Sequence, residues 1–98
     1  MPKQPTKLQK QITTLVAMFD RFIDRLRTLN LARAKRLHLA AQGRSVVSIA
    51  NALDRHNVED CNTGRAGHII CLAAEQLMNG NDHEFKRLIA TASRMLGS

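Results

Sequence analysis

The sequence predicts an all-α fold, a compact bundle of four to five helices built around one long N-terminal amphipathic helix. Three observations support this prediction. Apolar residues between Leu8 and Leu29 recur alternately four and three positions apart, which places them on one helix face. Glycines and N-capping residues then divide the remaining chain into short helical segments. With three Phe and no Trp or Tyr, the core must consist of aliphatic side chains and Ala, which favours closely packed helices.

The chain length of 98 residues corresponds to a single helical domain, residues 1–98. Residues 1–5 are expected to form a flexible basic tail. The polar N-terminus shows no secretory signal, and no apolar run is long enough to span a bilayer. We therefore expect a cytoplasmic protein whose Cys61 and Cys71 remain thiols.

The first helix is predicted to begin after Thr6, because Thr6 and Gln9 fit a capping box. Val16 and Ile23 widen its apolar stripe to the width expected of a helix packed inside a globular bundle. The residues that define the stripe are Leu8, Ile12, Leu15, Phe19, Phe22, Leu26 and Leu29. The same periodicity permits a homodimer through the Leu8–Leu29 helix, so packing within the chain and dimerisation remain as alternatives.

Four shorter helices are predicted to follow, over residues 31–42, 46–55, 64–79 and 82–96. The residues assigned to cap them are, in chain order, Asn30, Ser45, Asn62 or Thr63, and Asn81. Gly43 is assigned the position that ends the second helix, and residues 54–63 are assigned to a loop. The inner face of the second helix is expected to consist of Leu31, Ala34, Leu37, His38 and Ala41. Whether residues 1–42 form one bent helix or two stays open at this stage.

Positive charge is concentrated in the first half of the chain, within an overall net charge of +7. Residues 1–49 hold ten Lys and Arg against two Asp, whereas residues 50–98 hold five against six acidic residues. The two halves therefore carry net charges of +8 and −1. Such asymmetry indicates an anionic partner for the first half.

A segment over residues 35–55, with the sequence RLHLAAQGRSVVSIANALDR from Arg36 onward, resembles the helix-turn-helix motif of DNA-binding proteins. Two short helices, a glycine at the turn and an inward-facing Ile49 carry the resemblance. The match departs from the motif at Leu39, where a small Ala is usual, and at Ala52, where a larger apolar residue is usual. An ordinary helical corner is the alternative, since a helix, a glycine and a second helix form many such connections.

On the DNA-binding interpretation, seven side chains form the interface. The residues expected to bind phosphates are Arg33, Lys35, Arg36 and Arg44. The residues expected to read bases are Ser48, Asn51 and Arg55. Duplex DNA is favoured as the nucleic acid, because the chain has no Trp or Tyr and its three Phe fall on predicted core positions. Aromatic rings that could stack on the bases of a single strand are therefore not expected at the surface. The sequence accordingly predicts a small basic nucleic-acid-binding protein, a DNA-binding regulator or accessory factor.

The competing prediction is a non-catalytic protein–protein interaction module that docks on an acidic partner surface. An adaptor, an assembly factor or a phage-type inhibitor fits this description. We expect neither enzymatic activity nor a cofactor, because no titratable side chains form a catalytic constellation. The spacing of His56, Cys61, His68 and Cys71 matches no strong zinc pattern, so no metal site is predicted.

Overall fold

The computed structural model describes residues 4–97, which form five α-helices and no strand. The helices are α1 Lys7–Leu29, α2 Leu31–Ala40, α3 Val46–His56, α4 Asn62–Met78 and α5 Asp82–Gly97. The predicted all-α fold is therefore confirmed. Within residues 4–97, no helix combines the length and the apolar character needed to cross a lipid bilayer. Of the predicted tail, Gln4 and Pro5 are exposed, whereas residues 1–3 lie outside the described part of the chain.

The long helix α1 packs against each of the other four helices and so forms the centre of the bundle. Thr6 and Gln9 form the predicted capping box at its N-terminus. The almost fully buried residues in the middle of its stripe are Leu15, Phe19, Phe22 and Leu26. Leu8 and Leu29, at the two ends of the stripe, are exposed. The middle of the stripe thus packs within the chain.

Asn30 separates α1 from α2, so the N-terminal part of the chain forms two helices and not one bent helix. Its backbone N–H donates to the Leu26 carbonyl at the end of α1, and its side chain accepts a hydrogen bond from the Arg33 N–H in α2. The backbone at Asn30 is extended, with φ −157° and ψ 91°, and therefore belongs to neither helix. The predicted N-cap is confirmed.

The buried face of α2 is narrower than the sequence predicted. Ala34, Leu37 and Ala41 are buried, in agreement with the prediction. Leu31 and His38 are exposed, and their assignment to the inner face was wrong. The physical reason is that α2 contacts only α1 and α3 among the described helices, so few of its side chains can be covered.

The connection between α2 and α3 reverses at Arg44, not at Gly43 as the sequence predicted. Arg44 has a left-handed φ of +51°, whereas Gly43 has none. The turn is closed by a hydrogen bond of 2.8 Å from the Arg44 N–H to the Ala41 carbonyl, which shifts the reversal one residue along the chain. Ser45 caps α3 as predicted and forms a capping box with Ser48.

The N-terminus of α4 has no side-chain cap, and the preceding loop packs closely against it. The loop spans residues 57–61 and is shorter than predicted. Neither Asn62 nor Thr63 is the N-cap, because the helix begins at Asn62 and Cys61 occupies the cap position without a side-chain hydrogen bond. A Cβ at Gly64 would collide with the backbone of the loop. This glycine therefore lets the loop lie directly on the first turn of α4.

The last two helices form the helical hairpin that the sequence predicted. α4 and α5 pack along each other and are joined by Asn79–Asn81. Gly80 adopts a φ of +75° in this turn. The Asn81 side chain accepts a hydrogen bond from the Glu84 N–H and so caps α5. The buried apolar side chains of all five helices form one core cluster.

Candidate nucleic-acid interface

The seven side chains predicted to contact DNA lie on α2, on α3 and in the turn between them, which together form the α2–α3 corner. The exposed members are Lys35, Arg36, Arg44, Asn51 and Arg55. The members bonded within the chain are Arg33, Arg44 and Ser48. The predicted set thus divides into four side chains available to a ligand and three that hold the corner together.

Arg33 binds the loop that follows α3. Its two terminal nitrogens donate to the Asp60 carboxylate at 3.1 and 3.2 Å, and only 19% of the side chain is exposed. These hydrogen bonds lower the pKa of Asp60 and raise the pKa of Arg33, because each stabilises the charged form of its partner. Arg33 therefore has its counter-ion within the protein and is not a free phosphate ligand.

Arg44 and Ser48 stabilise the turn and the start of α3. The Arg44 guanidinium donates to the Asp20 carboxylate on α1, and this hydrogen bond raises the pKa of Arg44. The Ser48 hydroxyl accepts from the Ser45 N–H at 2.9 Å and donates to the Ser45 carbonyl at 3.0 Å. Both side chains thus use their polar atoms to fix the corner.

An open groove of 370 Å³ lies between the end of α2 and the outer face of α3. The residues that line it are Ala40, Ser48, Asn51, Ala52, Arg55 and His56. Arg36 stands one helical turn before Ala40 and therefore on the same side of α2. No carboxylate within residues 4–97 lines this groove, because Asp54 on α3 lines a separate hollow between α3 and α4. The groove therefore has mixed polar and apolar walls, with Arg55 in its lining and Arg36 beside it.

Two apolar residues of the corner, Leu39 and Val47, are exposed. Leu39 is 65% exposed, although the helix-turn-helix motif packs a small residue at this position against its second helix. Val47 is 55% exposed on the first turn of α3, one turn before Asn51. The helical period could have identified Val47, because it lies off the stripe of Ile49 and Leu53.

The His and Cys residues considered as metal ligands do not converge. His56 lines the groove at the corner, whereas His68 and Cys71 line the hollow between α3 and α4. Across residues 4–97, no group of three or more His, Cys, Asp or Glu is placed to hold a metal ion. Cys61 and Cys71 are free thiols. Burial raises the pKa of the Cys71 thiol to about 11.

The fold and the corner define a small basic helical bundle with a groove of mixed polarity, flanked by Arg36 and Arg55. Among known proteins, no family model, no curated protein and no solved structure matches the chain. The function is therefore inferred from the arrangement of these residues alone.

Proposed function

We propose that this protein binds duplex DNA with its α2–α3 corner, as a regulator or accessory factor in the cytoplasm. One observation carries the proposal. Exposed cations from two helices, Arg36 on α2 and Arg55 on α3, flank a groove that no carboxylate of the described chain lines. The excess positive charge in the first half of the chain supplies long-range attraction to a polyanion.

In this arrangement α3 enters the major groove and α2 lies beside the DNA backbone. Lys35 and Arg36 bind phosphates, which positions the protein without reading sequence. Asn51 and Arg55 read base edges, because an amide and a guanidinium can each make two hydrogen bonds to a purine. Val47 offers an apolar contact for a thymine methyl group.

The three bonded side chains have a positioning role in this proposal. Arg33 ties α2 to the loop after α3, and Arg44 ties the turn to α1. Ser48 completes the cap of α3. A corner held at these points loses little conformational freedom when it docks, which favours binding.

Burial of the aromatic side chains favours duplex DNA over single strands. Phe19, Phe22 and Phe85 are 1%, 0% and 3% exposed, and the chain has no Trp or Tyr. Proteins that bind single strands stack the bases on exposed aromatic rings. A rigid duplex with a regular array of phosphates needs no such rings.

The test is fluorescence-anisotropy binding to a labelled duplex over a series of salt concentrations. We expect Arg36→Ala to weaken binding to all duplex sequences alike. We also expect it to reduce the slope of log K against log salt by about one unit, since one phosphate contact is lost. Arg55→Ala is expected to reduce the difference in affinity between one duplex sequence and another, because a contact with a base is lost.

A matched control keeps this test specific. Arg94→Ala removes an exposed arginine from α5, a helix that contacts neither α2 nor α3. This variant is expected to keep the slope of the wild-type protein. Equal losses of slope in Arg36→Ala and Arg94→Ala would show diffuse attraction by net charge and would overturn the proposal.

A further inference from the structure

A second open groove lies between α1 and α5, away from the α2–α3 corner. It has a volume of 530 Å³ and is mostly apolar. Met18 and Phe85 are buried at its base, whereas Ile89 is half-buried and Ala90 is exposed. We name this surface the α1–α5 groove. The volume of this groove lies within the range of about 300–1,000 Å³ that is usual for binding clefts.

Lysines stand on both margins of the α1–α5 groove. Lys10 projects from α1 and Lys86 from α5, and both are exposed. A third lysine at the margin, Lys7, is paired with Asp82. No carboxylate within the described chain lines the groove itself. The surface therefore fits an occupant with an apolar face and negative charges along both edges.

The length of the α1–α5 groove matches a short helix. It follows α1 from Lys7 to Met18, which is about 16 Å at 1.5 Å per residue and equals three helical turns. A helix laid between two others presents side chains at i, i+3 or i+4, and i+7 to the groove beneath it. Such an occupant would complete a layer of three helices on this side of the bundle.

A second copy of this chain is a poor occupant of the groove. In a symmetric dimer the same surface patch of both copies forms the contact. Each copy would then bring the same lysine-bordered groove to the interface, with no carboxylate of the described chain in its lining. Like charges brought together at an interface cost several kcal/mol, so the charges disfavour self-association here.

We propose that the α1–α5 groove binds an acidic amphipathic helix of a partner protein. This site shares no lining residue with the groove at the α2–α3 corner. The protein can therefore hold DNA at one surface and a partner protein at the other. Because the two surfaces are separate, DNA binding and binding of the partner helix can be measured independently, and a variant that loses one can still be tested for the other.

The experiment uses a fluorescein-labelled synthetic peptide, four helical turns long, with Leu on one face and Glu and Ala on the other. Anisotropy is measured against the full-length protein and its variants at physiological salt. We expect Lys10→Glu, Lys86→Glu and Ala90→Glu each to weaken binding about tenfold or more, because each places a carboxylate against the acidic helix. All three positions are exposed, so these variants keep the fold, which circular dichroism checks.

Matched controls separate a shaped site from general attraction by net charge. Lys35→Glu makes the same change of charge on α2 and is expected to leave peptide binding unchanged. A peptide of identical composition with Leu and Glu scrambled is expected to bind about tenfold more weakly, because it has no continuous apolar face. Equal binding of the scrambled peptide would overturn the proposal, as would an equal loss in Lys35→Glu. A stable dimer that Ala90→Glu converts to a monomer would also overturn it, since the occupant would then be a second copy.

Discussion

Arg33 on the first turn of α2 forms a bidentate ion pair with Asp60 in the loop between α3 and α4. Each of its two terminal guanidinium nitrogens donates a hydrogen bond to one carboxylate oxygen. The two residues are 27 positions apart in the chain. Their pairing connects the start of α2 to the loop that follows α3 and so supports the corner that we propose as the DNA-binding surface. The guanidinium of Arg33, which the sequence assigned to a DNA phosphate, thus pairs with a carboxylate of the same chain.

The Arg33–Asp60 pair should make the stability of the protein sensitive to acid. Hydrogen bonds from Arg33 hold the pKa of Asp60 below its ordinary value, so the unfolded chain binds the proton more tightly than the folded chain. Its contribution is therefore complete above about pH 4, the unfolded pKa of Asp, and is lost as pH falls through the lower folded pKa.

Urea denaturation between pH 5 and 2.5 measures this effect. Asp60→Asn is expected to lose less stability over this range than the wild-type protein. Asp82, whose pKa is lowered by its hydrogen bonds from Gln11 and Lys7, is unchanged in that variant, so part of the pH dependence should persist. An identical pH dependence in the variant and the wild type would show that Asp60 contributes nothing.

Gly67 is required by the ring of Phe22 in the core. A Cβ at this position would lie 2.7 Å from Cζ of Phe22 and 2.8 Å from Oδ1 of Asn57. Phe22 is fully buried and has no room to withdraw. We expect Gly67→Ala to destabilise the protein by up to about 2 kcal/mol, because an overpacking cost of about 1–3 kcal/mol is offset by a gain in helix propensity of about 1 kcal/mol.

The matched control is Gly43→Ala in the turn between α2 and α3. Its nearest neighbour would be Oγ of Ser48 at 3.5 Å, which is an ordinary contact. This substitution is expected to be neutral or stabilising by up to about 1 kcal/mol through the unfolded state. Urea denaturation of both variants gives the comparison. A Gly43→Ala variant less stable than Gly67→Ala would contradict the packing described for α4.

Arg44 adopts a left-handed backbone conformation in the turn, with φ +51°. Glycine adopts this conformation without steric strain, whereas a residue with Cβ loses about 1 kcal/mol or more. We therefore expect Arg44→Gly to be more stable than Arg44→Ala by about 1 kcal/mol. Both variants lose the pair with Asp20, so their difference isolates the backbone. Thermal or urea unfolding measures it, and equal stability would place the reversal of the chain elsewhere.

The two cysteines should differ in reactivity toward a thiol reagent. Cys71 is buried and its pKa is raised to about 11, so at pH 8 only about one thiol in a thousand is ionised. Cys61 is partly exposed at the start of α4. We expect one thiol to react rapidly with an aromatic disulfide reagent in the folded protein, and both thiols to react rapidly after unfolding in urea. Cys61→Ser should abolish the fast phase, and a fast phase that survives in this variant would contradict the burial of Cys71.

The helices were predictable from the sequence where their determinants are local. The capping box at Thr6, the N-cap at Ser45 and the break at Asn30 depend on residues within one turn, and each is present. The centre of the α1 stripe was likewise predictable from periodicity. Its exposed ends at Leu8 and Leu29 were not, because exposure there depends on how far the other helices reach.

The candidate site could be predicted only in part, because the choice of counter-ion is a property of the folded chain. Nothing near Arg33 in sequence indicates that Asp60 will neutralise it, and the same holds for Arg44 and Asp20. The α1–α5 groove escaped notice for a related reason. Lys10 and Lys86 come together only when the two ends of the chain pack side by side.

The location of the DNA on the protein is the central claim, and amide chemical shifts of the ¹⁵N-labelled protein test it most directly. The protein is titrated with a short duplex at low salt. We expect the largest shifts at the corner, on the amides of Lys35, Arg36, Val47, Asn51 and Arg55. The amides along the α1–α5 groove, including Thr14 and Ala90, are expected to stay in place. Shifts concentrated in that groove, or spread evenly over all exposed cations, would contradict the account.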